Sequence, residues 1–266
     1  MVIQKLILGI VQGVAEWLPI SSEGLIVLVS TNFFSHNWEY QKLIEMALFL
    51  HLGTFLAALI YFRNDIQQLL TGLVHWSKTG KENQKTIVFL TTATIISGTV
   101  GFLLLRLVET SQQSMSLTGK GLNLLVGMLL LITGALQLKA GKKEGKKKTI
   151  NLSLATGLVL GMVQGLATLP GLSRSGSTVS ALLLLGFQKS LSLKLSFLLS
   201  MPIVLAGNIL LNLNTINFSV DNLVALTASF AFGLLTINLL LKLAKKINFG
   251  LLVIIFGLLT ISSLFI

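Results

Sequence analysis

Residues 169–178 read Leu169-Pro170-Gly171-Leu172-Ser173-Arg174-Ser175-Gly176-Ser177-Thr178, and they interrupt an apolar stretch running from 152 to 187. Proline removes a backbone donor and clashes with the preceding turn, and the small polar residues after it favour a turn, so a helix breaks here. The flanks are apolar enough for lipid. Non-helical backbone at membrane depth is tolerated only inside protein or beside water. The stretch therefore reads as a re-entrant helix–turn–helix hairpin. Residues 2–30 have the same form, broken by Leu18-Pro19-Ile20-Ser21-Ser22-Glu23-Gly24.

The two stretches repeat each other. Gly9-Ile10-Val11-Gln12-Gly13-Val14-Ala15 aligns with Gly161-Met162-Val163-Gln164-Gly165-Leu166-Ala167, and each copy runs on into Leu-Pro and a serine-rich turn. Six further apolar runs, at 43–62, 86–108, 118–138, 194–212, 221–241 and 248–266, approach the roughly 20 residues that a span needs. The expected fold is an all-α polytopic membrane protein with six transmembrane helices and two re-entrant hairpins. A first repeat covers 1–138, a flexible basic linker 139–150 and a second repeat 151–266. Three spans per repeat is an odd number, so the second repeat is inverted. Inverted repeats with paired broken segments point to a binding site at the midplane.

Charge tests this reading. With neither hairpin crossing, one side collects Arg63, Lys78, Lys81, Lys85, the cluster from Lys139 to Lys148, Lys189, Lys194, Lys242, Lys245 and Lys246. The other side keeps Lys5, Lys42, Arg106 and Lys120. That asymmetry is a positive-inside bias. It puts both termini outside a plasma membrane, with the first hairpin entering from outside and the second from the cytoplasm.

Composition excludes other classes. The chain of 266 residues is 53% hydrophobic and 11% charged, against about 25% charged in a soluble domain. Mean hydropathy is +0.85. The net charge of +11 is topogenic, and no basic-aromatic motif suggests nucleic acid. The linker can also meet anionic headgroups. There are no cysteines, hence no disulfide and no thiolate metal site. The N-terminus lacks the basic region and A-x-A site of a cleaved signal.

Ionisable residues deep in apolar segments are functional candidates by default. Glu16 and Arg174 are the unambiguous ones, one from each broken stretch. The second helix of each hairpin begins near Ser21–Ser22 and near Ser173–Ser175. Helix N-termini suit anions, and inversion aims both at one point. The Arg174 fork matches phosphate oxygens, and Ser173, Ser175, Ser177 and Thr178 add hydroxyls. Each feature also has a structural reading. Gln12 and Gln164 either line the site or bridge the hairpins, Glu16 and Arg174 can form a structural pair, and Ser177, Ser180 and Ser196 suit helix packing. His51 reads as a satisfied interior polar group, His36 and His75 as loop residues, and Asp221 as a helix cap.

At these residues the sequence resembles a known family. Residues 170–178 fit the PGxSRSxxT signature of the undecaprenyl-diphosphate phosphatases of the bacitracin-resistance type. Gln12 to Ser22 resembles their Glu/Gln-xxx-Glu motif with its following Leu-Pro-x-Ser-Ser. Leu50 to Thr54 and Phe197 to Pro202 are similar too. The resemblance implies six spans with two hairpins, and hydrolysis of a C55-type diphosphate to the monophosphate at the outer face, which recycles the lipid carrier for cell-envelope glycan synthesis. One departure stands out. The family pattern Ser-Ser-x-Gly-His is here Ser21-Ser22-Glu23-Gly24-Leu25. Without that histidine, Glu16 or Glu23 takes over the proton chemistry, or the protein is a slow or altered member.

The expected catalytic residues are Glu16, Ser22 and Arg174. The expected phosphate-binding residues are Gln12, Ser21, Gln164, Gly171, Ser173, Ser175 and Thr178. The nucleophile is the Ser22 hydroxyl or a water. Glu16 is the general base, or a ligand to a magnesium or calcium ion bridging the phosphates. The expected partners are the polyprenyl diphosphate and the bilayer, with a homodimer as a further expectation and no nucleic acid. The rival reading is a flippase of the lipid phosphate, since broken helices and a midplane anion site also belong to transporters.

Overall fold

The computed structural model describes residues 2–18, 21–34, 40–112, 119–141, 145–168, 172–212, 218–246 and 249–262. These form eleven α-helices: α1 (Val2–Ala15), α2 (Ser22–Phe33), α3 (Tyr40–Tyr61), α4 (Arg63–Val74), α5 (Lys81–Gln112), α6 (Gly119–Gly141), α7 (Leu154–Leu166), α8 (Arg174–Leu184), α9 (Lys189–Gly207), α10 (Val220–Lys246) and α11 (Phe249–Ser262). Among the described residues no strand forms, and one bridge joins Lys147 to Phe187.

Four helical segments are long and apolar enough to cross a membrane: Lys42–Tyr61, Lys81–Leu107, Lys189–Leu210 and Val220–Leu243. They contain most of four expected spans. The other two fall on α6 and α11, whose apolar segments Gly127–Gly141 and Val253–Ser262 are shorter. Each stretch expected to form a hairpin holds two helices, α1 and α2 in the first and α7 and α8 in the second, and the second helices begin within the polar breaks, at Ser22 and Arg174.

Two features depart from the sequence expectation. Residues 63–74, between two expected spans, form α4. Ile66 and Leu69 pack into the core, while Leu70, Leu73 and Val74 are exposed. Apolar residues recur here at helical spacing, but over too few residues to span. Lys194 Nζ donates to Asp65 at 2.6 Å and ties α4 to α9. The linker, expected to be flexible, is fixed at its described end. Lys147 N donates to the Gly186 carbonyl at 2.9 Å, Gln188 N donates back to Lys147 at 3.1 Å, and the Lys147 ammonium lies over the Phe187 ring.

Lipid offers helices no hydrophobic reason to associate, so close packing at small residues does that work. Helix α1 lies on α10 through Gly9 and Gly13, where an added Cβ would stand 2.2 Å from the Ala225 carbonyl and 2.7 Å from that of Ser229. Helix α7 lies on α5 through Gly157, Gly161 and Gly165, against Thr92, Ile96 and Val100. Helices α6 and α11 meet at Gly127 and Gly134 facing Gly257 and Gly250. Exchanging the two halves maps the α1–α10 pairing onto α7–α5, so each half clasps the other. Trp17, 2% exposed, locks the end of α1. Its indole N–H donates to Gly233 at 2.8 Å, and its ring meets Phe197 edge-on at 5.3 Å.

Gly9→Ala is expected to lower the unfolding midpoint in detergent, since overpacking costs about 1–3 kcal/mol. Gly207→Ala, with nothing within 4 Å of the new Cβ, leaves the midpoint unchanged. Equal midpoints for the two variants would contradict the close α1–α10 contact.

Candidate active site

The two breaks are built alike. Ser21 caps α2, its hydroxyl accepting from Gly24 N at 3.2 Å. Ser173 caps α8 in the same way, accepting from Gly176 N at 3.1 Å. The residue after each cap therefore starts its helix, and these residues are Ser22 and Arg174. Cap side chains satisfy one orphan N–H each, and the remaining free donors give both starts a partial positive charge.

Glu16 lies one residue beyond α1, its backbone N–H still donating to Gln12 at 3.1 Å. Its carboxylate is the point on which the site converges. Oε1 accepts from the Arg174 guanidinium, the two side chains being 7% and 19% exposed. Oε2 accepts from Gln12 Nε2 at 2.9 Å and from Ser22 Oγ at 3.0 Å. His51 Nε2 lies 3.2 Å from the same oxygen. The hairpins also touch directly, where Ser175 Oγ donates to the Leu18 carbonyl at 3.2 Å. Among the described residues the buried Oε1 of Gln12 has no partner, and it is an acceptor suited to water or a phosphate P–OH.

The structure thus gathers Gln12, Glu16, Ser22 and Arg174, and sets Ser21, Ser173 and Ser175 beside them as caps and bridge. Two expected phosphate ligands are engaged elsewhere. Gln164, whose role the sequence left open, bridges α7 to α5 and α9 by donating to Ser97 Oγ at 3.2 Å and Leu199 O at 3.3 Å. Thr178 is fully buried and shares bonds with the Arg174 carbonyl at 2.8 Å and Ser196 Oγ at 2.6 Å. A threonine inside a helix readily bonds the carbonyl one turn back. Gly171 lies outside the described residues, as does His36.

His51 is the residue that the sequence reading undervalued. It is satisfied, but by Glu16 as well as by its own helix. The signal was available: an ionisable side chain in mid-span is a functional candidate by default. Leu25, at the family's histidine position, packs instead beside Ala15, Leu130 and Val253. Of the two acids considered for proton chemistry, Glu16 is the one that receives the Ser22 hydroxyl.

This geometry suits phosphoryl chemistry. A hydroxyl 3.0 Å from a carboxylate is within reach for general-base catalysis. Arg174 has five N–H donors in a fork that suits phosphate oxygens, and Glu16 engages only its Nη2 among the described residues. Among the described residues no group of three or more His, Asp or Glu could hold a metal. The oxygens of Glu16 are already covered by protein donors, so these residues build no cation cage.

Comparison with known proteins agrees with the geometry. The model of the bacitracin resistance protein BacA family matches residues 5–260. An undecaprenyl-diphosphatase of Methanococcoides burtonii is 40% identical over 98% of both chains. One of Haloarcula marismortui is 38% identical over 96% of this chain and 94% of its own. One of Saccharolobus solfataricus is 36% identical over 97% and 93%. With its apolar helices, its full-length match and its paired breaks, this membrane protein belongs to the bacitracin resistance protein BacA family.

Proposed function

We propose that this protein hydrolyses a polyprenyl diphosphate, of the undecaprenyl class, to the monophosphate and inorganic phosphate. The observation that carries the proposal is one carboxylate, Glu16, receiving the Ser22 hydroxyl from its own hairpin and the Arg174 guanidinium from the other. The names of the relatives support the substrate class.

In this reading the diphosphate enters between the two helix starts, with its tail between helices. Arg174 and the N-termini of α2 and α8 hold the phosphates and stabilise the charge that grows during transfer, a reaction that depends chiefly on positioning and electrostatics. Glu16 takes the proton of Ser22 as its oxygen attacks the terminal phosphorus. The bond from that phosphorus to the bridging oxygen breaks, and the prenyl monophosphate leaves. The departing monophosphate takes that proton from Glu16. Glu16 then takes a proton from water as the water oxygen attacks the phosphorus. The P–O bond to Ser22 breaks, inorganic phosphate leaves, and Glu16 returns the proton to the Ser22 oxygen. Glu16 is already placed against the nucleophile, so the absence of a histidine at Leu25 is compatible with turnover.

The proposal keeps the finer architecture expected from charge: six spans, two re-entrant hairpins, inverted halves, outside termini and a site open to the outer face, where the product rejoins the carrier pool for envelope glycan synthesis. Magnesium or calcium, where it takes part, would arrive with the phosphates of the incoming lipid and would supply charge neutralisation there.

Phosphate release by purified protein in detergent tests this reading. Removing one transition-state donor typically costs about 100- to 1000-fold, and Arg174→Ala is expected to lose at least that in kcat. Glu16→Gln and Ser22→Ala should fall similarly, while Gln164→Leu, whose amide bonds Ser97 and Leu199, should change stability more than kcat. A folded Arg174→Ala protein with near-normal turnover would remove Arg174 from the site. Chelation by EDTA should lower turnover, and added magnesium restore it, without moving the unfolding midpoint of the substrate-free protein. A midpoint shift would instead locate a cation in the protein.

A further inference from the structure

His51 is 6% exposed and sits in Leu50-His51-Leu52-Gly53-Thr54, midway along α3. Its backbone is held in place by α10. Gly53 has no room for a side chain, an added Cβ falling 2.8 Å from the Leu226 carbonyl, and Ser229 Oγ donates to the Leu50 carbonyl at 2.8 Å. Its ring is held at both nitrogens. Nδ1 lies 2.6 Å from the Ala47 carbonyl, which can only accept, so Nδ1 carries a hydrogen. Nε2 lies 3.2 Å from Glu16 Oε2. Glu16 as the base is ionised, so the proton of that contact sits on Nε2, and His51, an imidazolium, donates to the carboxylate.

The other partners of Glu16 all come from the two hairpins. Gln12 stands one turn back on α1, Ser22 starts α2 and Arg174 starts α8. Arg174 is also the group a phosphate competes for. As its donors turn to phosphate oxygens, Oε1 loses its restraint and the carboxylate gains freedom to rotate. Among the described residues His51 is the one partner of Glu16 from an element outside both hairpins.

We propose that His51 is a positioning residue for the hydrolysis, holding Oε2 of Glu16 against Ser22 while Arg174 engages the substrate. The inference rests on the hydrolase reading of the site.

The test measures kcat, KM and unfolding midpoint for wild type, Glu16→Gln, His51→Leu and His51→Gln, in detergent with a C55 diphosphate. His51→Leu removes the donor at similar volume, and His51→Met is a second donor-free variant should the first fail to fold. The donor-free protein should lose kcat by about 10- to 100-fold, the scale seen when a group that orients a metal-binding side chain is removed, with KM within about two-fold. His51→Gln, whose amide N–H can reach Oε2, should recover most of that loss. A purely structural histidine would lower the midpoint and leave the kcat of the folded fraction unchanged. A folded donor-free variant with kcat within about two-fold of wild type, or a glutamine no better than leucine, overturns the proposal. Wild type without turnover, or Glu16→Gln with full turnover, overturns the hydrolase reading and this inference with it.

Discussion

A carboxylate and a guanidinium that would each be expensive in a membrane meet at the centre of this protein. Insertion scales put a lone charged side chain at the middle of a span at about 2.5–3.5 kcal/mol. Together Glu16 and Arg174 neutralise each other, but only if the two polar breaks arrive at the same depth and face. That requirement reaches far into the fold. The first break is fixed by Trp17 bonding to Gly233, the second by Thr178 bonding to Ser196, and the two are joined by Ser175 and the Leu18 carbonyl.

Those anchors belong to different halves. Helix α1 rests on α10 and α7 on α5, through glycines that bring backbone against side chain or backbone. In lipid this packing is what holds helices together, so the forces that assemble the bundle are the ones that set the distance between Glu16 and Arg174. Neither half can build the site alone, because the acid and hydroxyl come from one and the guanidinium from the other.

Much of this was legible in the sequence because proline and clustered serines are expensive in a spanning helix and occurred twice after the same Gln-Gly motif. The breaks, the helix caps at Ser21 and Ser173, and the candidacy of Glu16 and Arg174 follow from local chemistry. What was not legible depends on which element faces which. Gln12 and Gln164 occupy equivalent positions in the repeat, yet one bonds Glu16 and the other Ser97, since the position of Glu16 in the second copy is Thr168. Thr178 looked like a phosphate ligand by its signature and instead bonds its own helix and α9. His51 was read as interior because no local pattern says that α3 passes beside the end of α1. The helix at 63–74 was hidden by its length, too short to register as a span.

The central claim is that the two breaks share one buried charge pair, and a double-mutant cycle on stability tests it without reference to turnover. Glu16→Gln and Arg174→Met would be made singly and together, and unfolding free energies measured in detergent. Removing one partner of a buried pair typically costs about 3–5 kcal/mol, because the other charge is left uncompensated. The account predicts that the double variant is more stable than either single variant. Losses that simply add would show that Glu16 and Arg174 do not meet, and would contradict the account.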